Sequence, residues 1–158
     1  MPTLPTGLTW HFEIKVDGHR MIVRRTEDGV ICCSRTGRTV TSHWMDLTVP
    51  AMVLPPGTVL EGAAVIWNDG RVDFGAVQAR ASSSLDRARA LADRLPASYM
   101  AFDVLAHPGD ALAARPYTEL RTVLVDVLAD VGPRSSRSSP PRTGLSPSSG
   151  KRPSSPRA

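Results

Sequence analysis

The sequence predicts an α+β domain with a mostly antiparallel sheet and flanking helices. Three observations predict this class. Alternating apolar and polar segments fill the first part of the chain, tight turns such as Asp17-Gly18 and Asp28-Gly29 separate them, and helical periodicity begins only after Val72. Strands that are joined by tight turns pair antiparallel, and the helices that follow them pack against the sheet.

The predicted strands come first along the chain. "WHFEIKV" alternates between apolar and polar residues, and Asp17-Gly18 turns it into "HRMIVRR". The turn "EDG" leads to a third strand, "VICCSR". "GTVLEGAAVIW" is a further strand, which we expect Gly62 to interrupt, and the turn "NDG" leads to a short strand at Arg71-Val72.

Helices are predicted for most of the remainder. "FGAVQAR" and "SSLDRARALADRL" have helical periodicity, with Ser84 as the cap of the second helix and Pro96 closing it. "SYMAFDVLA" is a strand, and "PYTELRTVLVDVLADVG" is a helix that is capped near Thr118 and ends at Gly132. The residues expected to face the core are Leu85, Ala88, Ala92 and Leu95 in one helix and Leu120, Leu124, Val127 and Leu128 in the other.

Composition divides the chain near Gly132. Residues 134–158 hold five arginines, one lysine and no acid, which leaves 13 basic and 15 acidic residues elsewhere. We therefore expect a folded domain over residues 8–132 and a disordered Ser/Pro/Arg-rich tail over residues 133–158, because the tail has too few apolar residues to form a core. A linker and a frameshift both produce such a change, and resequencing of the locus distinguishes them.

Several classes of protein are disfavoured. No segment approaches the roughly 18 apolar residues of a membrane span, and the N-terminus lacks the pattern of a secretory signal. Cys32 and Cys33 are adjacent, and adjacent cysteines rarely bond each other. The four histidines have no metal-binding spacing. We expect a cytoplasmic protein without a membrane partner.

Lys15 is the only lysine that precedes the tail, whose one lysine is Lys151. On an alternating strand it shares a face with Glu13 and Asp17, and two carboxylates favour a charged ammonium. A solvated surface lysine is the simplest interpretation of this position taken alone. A nucleophilic role requires a neutral amine, which lysine can form and arginine cannot, and a bound divalent metal with neighbouring arginines favours that form.

Six blocks occur in an order that resembles one protein family. "KVDGHR" fits K-x-D-G-x-R, the nucleotidyl-transfer signature of ATP-dependent DNA ligases and the related mRNA capping enzymes. The blocks "SRTGR", "LEGAAVIW", "FGAVQAR", "YMAFDVL" and "RPYTELRTVL" follow it and are similar to later blocks of the ligases. The bacterial end-joining type of ligase is the most similar, and capping enzymes fit the later blocks less well.

The resemblance implies a reaction and its partners. It implies a nucleotidyltransferase (ATP-grasp-like) adenylation domain, incomplete at the C-terminus, that uses ATP and Mg²⁺. Lys15 would attack the α-phosphate of ATP and form lysyl-AMP. AMP would then pass to a 5′-phosphate in nicked double-stranded DNA, where the 3′-OH displaces it, during DNA repair or recombination. An active bacterial ligase of this kind would be associated with the nucleoid.

The resemblance also implies residue roles. By position, Glu13 would lie beside the adenine, and Phe102 would stack on the base. Arg20 would contact ribose or phosphate, and Arg35 would contact the ribose or the phosphate at the nick. Glu61 takes the place of the family's usual aspartate, and it is both a candidate nucleotide-binding residue and the candidate metal ligand. Taken alone, Phe102 could equally be a core aromatic residue and Arg35 a surface turn residue.

Two departures lead us to expect impaired activity. The family's D-G-E strand ends in an acid that helps to hold the metal, and Ala63 stands there instead. The E-G-[VIL] and K-x-K blocks, which belong beyond Gly132, do not appear. The alternatives are a non-catalytic nucleotide-binding relic, a capping-type guanylyltransferase fragment, and a piece of a split ligase that a complementary ligase polypeptide completes.

Overall fold

The computed structural model describes residues 15–112 and 114–131, and they form an α+β domain, as predicted. The elements in chain order are β1 (His19–Arg25), β2 (Val30–Ser34), a 3-10 turn (Thr41–His43), α1 (Met45–Ala51), β3 (Val59–Asn68), β4 (Arg71–Val72), α2 (Phe74–Ala81), α3 (Leu85–Arg94), β5 (Ala97–Ala106) and α4 (Tyr117–Ala129). Within the described ranges, no helix has the length and apolar character needed to cross a membrane.

The five strands form one antiparallel sheet. Their order is β2-β1-β3-β4, and β5 pairs with β3. Strand β3 therefore lies between β1 and β5. In this register Arg20 faces Ala63 on β3, and Ala63 faces Met100 on β5. The sheet thus brings the "DGHR" segment alongside the "LEGAAV" segment, although about 40 residues of chain separate them.

The core is formed by the sheet and the helices that pack against it. Alternate residues of each strand enter it because successive side chains of a strand point to opposite faces. The buried cluster includes Met21 and Val23 from β1, Cys32 from β2, Leu60, Ala64 and Ile66 from β3, Val104 from β5, and Leu47, Val77 and Leu124 from helices. Burial raises the pKa of the Cys32 thiol to about 12, which keeps it protonated at neutral pH.

Gly62 does not interrupt β3, so that prediction was wrong. The strand continues through it, and the register of β3 with β5 shifts between Glu61 and Gly62. The reason for a glycine is the side chain of Tyr99, whose hydroxyl donates to the backbone oxygens of Met21 at 3.0 Å and Leu60 at 3.1 Å. A Cβ on Gly62 would lie 2.7 Å from the ring carbon Cζ of Tyr99.

Helix α1 and the turn before it were not predicted from the sequence. Pro50 lies inside this short helix and was a signal against it. The helix forms because Leu47 and Ala51 are buried on one of its faces. The spacing of Trp44, Leu47, Ala51 and Leu54, all buried, is the pattern that could have revealed it.

Details of the other helices differ from prediction. Leu85 is exposed rather than inward, whereas Ala88 in the same helix is buried. Ser84 occupies the predicted cap position, but its side chain makes no capping hydrogen bond. Helix α4 begins at Tyr117, one residue before the predicted cap.

Some predictions cannot be compared with the structure. The "WHFEI" segment, Gly132, and the proposed domain limits at residues 8 and 132/133 lie outside the described residues. The same is true of the tail over residues 133–158. Residues 15–17, which ended the first predicted strand, are described and are not in a strand.

Candidate functional site

Lys15 precedes β1 on an exposed segment. Its side chain is 89% exposed, and its Nζ lies 3.5 Å from Oδ1 of Asp17. Glu13, the other predicted neighbour, lies outside the described residues. The structure therefore contains one of the two expected carboxylate contacts, and the ammonium is open to solvent. The nucleophilic role of Lys15 stays a prediction.

Gly18 allows the segment after Lys15 to reach the centre of the sheet. A Cβ at this position would lie 2.5 Å from the backbone oxygen of Ala64 and 2.9 Å from Cγ1 of Val65. Both contacts are shorter than real Cβ atoms adopt, so glycine is required by the close approach to β3. The D-G pair thus fixes where the chain from Lys15 enters β1.

Arg20 and Glu61 form an ion pair between β1 and β3. Nε of Arg20 donates to Oε1 of Glu61 at 3.0 Å, and Nη2 donates to the same oxygen. Both residues had been predicted as nucleotide-binding from separate blocks, and the sheet brings them into contact. The pairing offsets the negative charge of Glu61 with the guanidinium.

The described residues do not form a magnesium site. Mg²⁺ requires oxygen ligands, Ala63 offers none, and Oε1 of Glu61 already accepts two hydrogen bonds from Arg20. Within the described ranges there is no group of three or more His, Cys, Asp or Glu residues that could hold a metal ion. Glu61 as a metal ligand stays a prediction.

A cavity of about 750 Å³ opens beside the start of β1. Its charged side chains are Arg20, Arg35 and Arg38, together with the titratable His19 and His43, and no carboxylate is among the described residues that line it. Guanidinium groups bind phosphate through paired N–H donors. The lining therefore favours a phosphate-bearing ligand.

The turn after β2 places two of these arginines at the cavity. Gly37 adopts a positive φ of 81°, and its backbone N–H donates to the oxygen of Ser34 at 2.9 Å. The N–H of Ser34 donates to the oxygen of Arg38 at 2.8 Å. This tight turn holds Arg35 and Arg38 on an exposed loop at the edge of the cavity.

Phe102 lies on β5, next to the Glu61-Gly62 step of β3. Asp103 faces Glu61 and Ala101 faces Gly62, so Phe102 sits at the shift in register. The side chain is half-buried. Of the predicted site residues that are described, Arg20 and Arg35 share the cavity, whereas Lys15, Glu61 and Phe102 are not among its lining residues. Adenine stacking on Phe102 stays a prediction.

A buried cation beneath the cavity was missed by the sequence interpretation. Arg80 on α2 is fully buried, and its guanidinium donates to Asp46 at 2.9 Å and to the backbone oxygen of His43 at 2.8 Å. It also lies 4.6 Å from the ring centroid of Trp44. The Trp44 ring stacks on His19 at 5.6 Å. The position of Arg80 on the same helical face as buried Val77 was the only available signal.

The surroundings of His19 keep its imidazole neutral. Burial, and to a smaller extent the nearby His43, lower the pKa of His19 below its ordinary value. Its Nε2 is buried and has no hydrogen-bond partner. The imidazole of His43 instead makes a hydrogen bond at 3.0 Å to the backbone oxygen of Ser83. The permanent cations that line the cavity are its three arginines, one of which, Arg20, is paired with Glu61.

Comparison with known proteins gives one consistent family. The family model described as "ATP dependent DNA ligase domain" matches residues 5–143 of this chain. DNA ligase C2 of Mycolicibacterium smegmatis is 37% identical over 131 residues, which are 82% of this chain and 36% of that protein. DNA ligase C of Mycobacterium tuberculosis is 39% identical over 122 residues, which are 77% of this chain and 34% of that protein.

Solved structures agree with the sequence comparison. A mycobacterial DNA ligase D complexed with ATP and MES superimposes with a TM-score of 0.57 and 28% identity, over 75% of this chain and 36% of that one. The ligase domain of Mycobacterium tuberculosis LigD gives a TM-score of 0.54. The chain thus spans about a third of the length of these relatives. From its matched residues and its fold, the chain belongs to the family of ATP-dependent DNA ligases.

Proposed function

We propose that this chain is part of a ligase adenylation domain in which Lys15 accepts AMP from ATP. Nζ of Lys15, as a neutral amine, attacks the α-phosphorus. The bond from that phosphorus to the bridging oxygen breaks, pyrophosphate leaves, and the amine proton passes to solvent. In a second step, AMP passes from the lysine to the 5′-phosphate of nicked double-stranded DNA.

The observation that carries this proposal is that Gly18, His19 and Arg20 of the "DGHR" segment lie at a cavity whose lining includes three arginines. Gly18 seats the segment that follows Lys15 against β3, and Arg20, two residues later, lines the cavity with Arg35 and Arg38. A triphosphate carries the charge that such a lining attracts. The related mycobacterial ligase D was solved as a complex with ATP, which supports the same class of ligand here.

We expect the first step to be slow in the chain by itself. The amine of Lys15 must lose a proton to attack, and its neighbour in the structure is the carboxylate of Asp17, 3.5 Å from Nζ. Ala63 removes an acid from the β3 segment, and Glu61 is engaged by Arg20. Among the described residues there is no group of three or more His, Cys, Asp or Glu side chains that could hold a metal ion in its place.

The complete ligase reaction requires partners. We propose nicked DNA as the substrate of the second step and a complementary ligase polypeptide as the partner that completes the site. Such an assembly would serve DNA repair or recombination and act at the bacterial nucleoid. If the second polypeptide supplies carboxylates near Ala63, its addition should raise the rate of lysyl-AMP formation.

The proposal is tested by incubating the chain with α-labelled ATP in magnesium buffer and measuring acid-labile label on the protein. We expect slow labelling of the native chain, none of Lys15→Ala, and native labelling of Lys151→Ala, the matched control in the other lysine. Label that persists in Lys15→Ala would remove Lys15 as the nucleophile.

Ala63 favours a second function, that of a nucleotide-binding relic without catalysis. A relic would bind ATP with the arginines of the cavity and form no covalent adduct. Equilibrium binding of ATP together with an absence of label on the folded native chain would support it. Labelling of the variant Ala63→Glu can be compared with that of the native chain. Labelling that appears only in the variant would identify the absence of an acid at position 63 as the cause of the missing activity.

A further inference from the structure

Arg80 is not a ligand-binding residue, although it lies close to the cavity that is lined by Arg20, Arg35 and Arg38, called the arginine cavity below. The part of the chain that the structure describes buries it completely, and it is not among the residues that line the cavity. Nε donates to the backbone oxygen of His43, and Nη1 and Nη2 donate to the two carboxylate oxygens of Asp46. Its donors are thus engaged by acceptors of the protein itself.

One chain of contacts leads from Arg80 to the start of β1. The guanidinium lies 4.6 Å from the centre of the fully buried Trp44 ring. Trp44 in turn stacks on His19, with an interplanar angle of 18°. His19 stands between Gly18 and Arg20, so the orientation of its ring is tied to the backbone that presents Arg20 to the cavity.

A second chain of contacts leads to the opposite wall of the cavity. Arg80 holds the backbone of His43 through the 2.8 Å hydrogen bond from Nε. The imidazole of His43 bonds to the backbone oxygen of Ser83, and both residues line the cavity. Asp46, the ionic partner of Arg80, also accepts the backbone N–H of Ala97 at 2.8 Å, which ties the cluster to β5.

We propose that Arg80 is a positioning residue that holds His19 and His43, and with them Arg20, in the arrangement that binds a phosphate-bearing ligand. This inference rests on the proposed nucleotide chemistry of the same cavity. Arg80 acts through Trp44 and through the backbone of His43 and does not touch the ligand. It also fixes the position of a histidine in the "KVDGHR" block for which the sequence interpretation assigned no role.

The geometry explains why the residue is arginine. A guanidinium is planar, donates in several fixed directions and presents a flat face to an aromatic ring. An ammonium has the same charge but no plane, so it cannot bond two Asp46 oxygens and the His43 oxygen while lying over Trp44. Arg80→Lys therefore keeps the positive charge but loses the planar arrangement of donors. The substitution thus distinguishes a positioning role of Arg80 from a purely electrostatic one.

The test uses the full chain with Arg80→Lys and measures two quantities, ATP affinity by calorimetry and the NMR titration of His19. We expect ATP affinity to fall by about tenfold. We also expect the His19 ring signals to move as stacking on Trp44 is lost, and the pKa of His19 to rise toward its ordinary value as the imidazole becomes solvated.

Val127→Ala is the matched control, because Val127 is buried in α4 and does not line the arginine cavity. It should lower stability while leaving ATP affinity and the His19 signals as in the native chain. Equal losses of affinity in both variants would reduce Arg80 to a purely stabilising residue and overturn the proposal. Native affinity and an unchanged His19 signal in Arg80→Lys would overturn it as well.

Two further outcomes also decide the proposal. If the native chain binds no ATP, the proposed function fails, and the His19 signals alone then decide whether Arg80 positions that residue. If Arg80→Lys does not fold, Trp44→Leu replaces it, since this change leaves the hydrogen-bonding groups of Arg80 intact and removes the aromatic link. The same movement of the His19 signals is expected there, and unchanged signals would contradict the proposal.

Discussion

Gly62→Ala is expected to lower the free energy of unfolding by about 3 kcal/mol or more. The new Cβ would lie 2.3 Å from the backbone oxygen of Met100 and 2.7 Å from Cζ of Tyr99. Neither neighbour can yield easily, because Met100 is on the paired strand and the Tyr99 hydroxyl bonds to two backbone oxygens. The adjustment must therefore disturb the pairing of β3 with β5.

The measurement is urea unfolding of the native chain and the variant, and Gly29→Ala is the control. A Cβ on Gly29 would meet no atom within 4 Å, so this second glycine reports the effect of the substitution without the clash. We expect Gly29→Ala to remain within about 0.5 kcal/mol of the native chain. Similar stabilities for the two variants would show that Tyr99 and Met100 do not require a glycine at position 62.

Asp46→Ala is expected to destabilise the fold by about 3–5 kcal/mol. The substitution leaves the guanidinium of Arg80 buried without its carboxylate and also removes the acceptor for the N–H of Ala97. Burying an unpaired charge costs far more than losing an exposed ion pair. The expected result is a large shift of the urea midpoint together with loss of the Trp44–His19 stack, visible by NMR.

Asp86→Ala gives a closely matched comparison. Asp86 also pairs with an arginine, Arg89, at 3.7 Å, but its side chain is 97% exposed. Water can solvate Arg89 once the carboxylate is gone, so we expect a change within about 1 kcal/mol. If both substitutions lowered the free energy of unfolding equally, the buried ion pair would contribute no more to stability than the exposed one.

The strands were predictable because their residues carry local signals. The alternation in "HRMIVRR" and "VICCSR", and the turns between them, correspond to β1 and β2 within one or two residues. Helices α2 and α3 were predictable from periodicity in the same way. The family was predictable because its blocks occur in a fixed order along the chain.

The features that were missed depend on distant contacts. Gly62 looked like a strand breaker because the sequence does not show that Tyr99 lies over it. The sequence gives no sign that Arg80 is buried, because its partner Asp46 is 34 residues earlier, in a helix that was not predicted because it contains Pro50. A charged residue can be buried only where a partner compensates it, and that partner is visible only in the fold.

The predicted site residues stay predictions, although the sheet brings two of them into contact. The sequence placed Arg20 and Glu61 in separate blocks of one site, and the sheet brings them into an ion pair. Arg20 and Arg35 also line one cavity. The reactivity of Lys15 depends on the protonation of an exposed amine beside a bound nucleotide, which residue spacing does not determine.

Locating the nucleotide on the protein tests the central claim most directly. The full chain is incubated with ATP and magnesium, digested, and mapped by tandem mass spectrometry under conditions that preserve a phosphoramidate bond. We predict that AMP is attached to Lys15, in a minor fraction of the molecules, and not to Lys151. Attachment at another residue, or no attachment to a chain shown to be folded, would contradict the account.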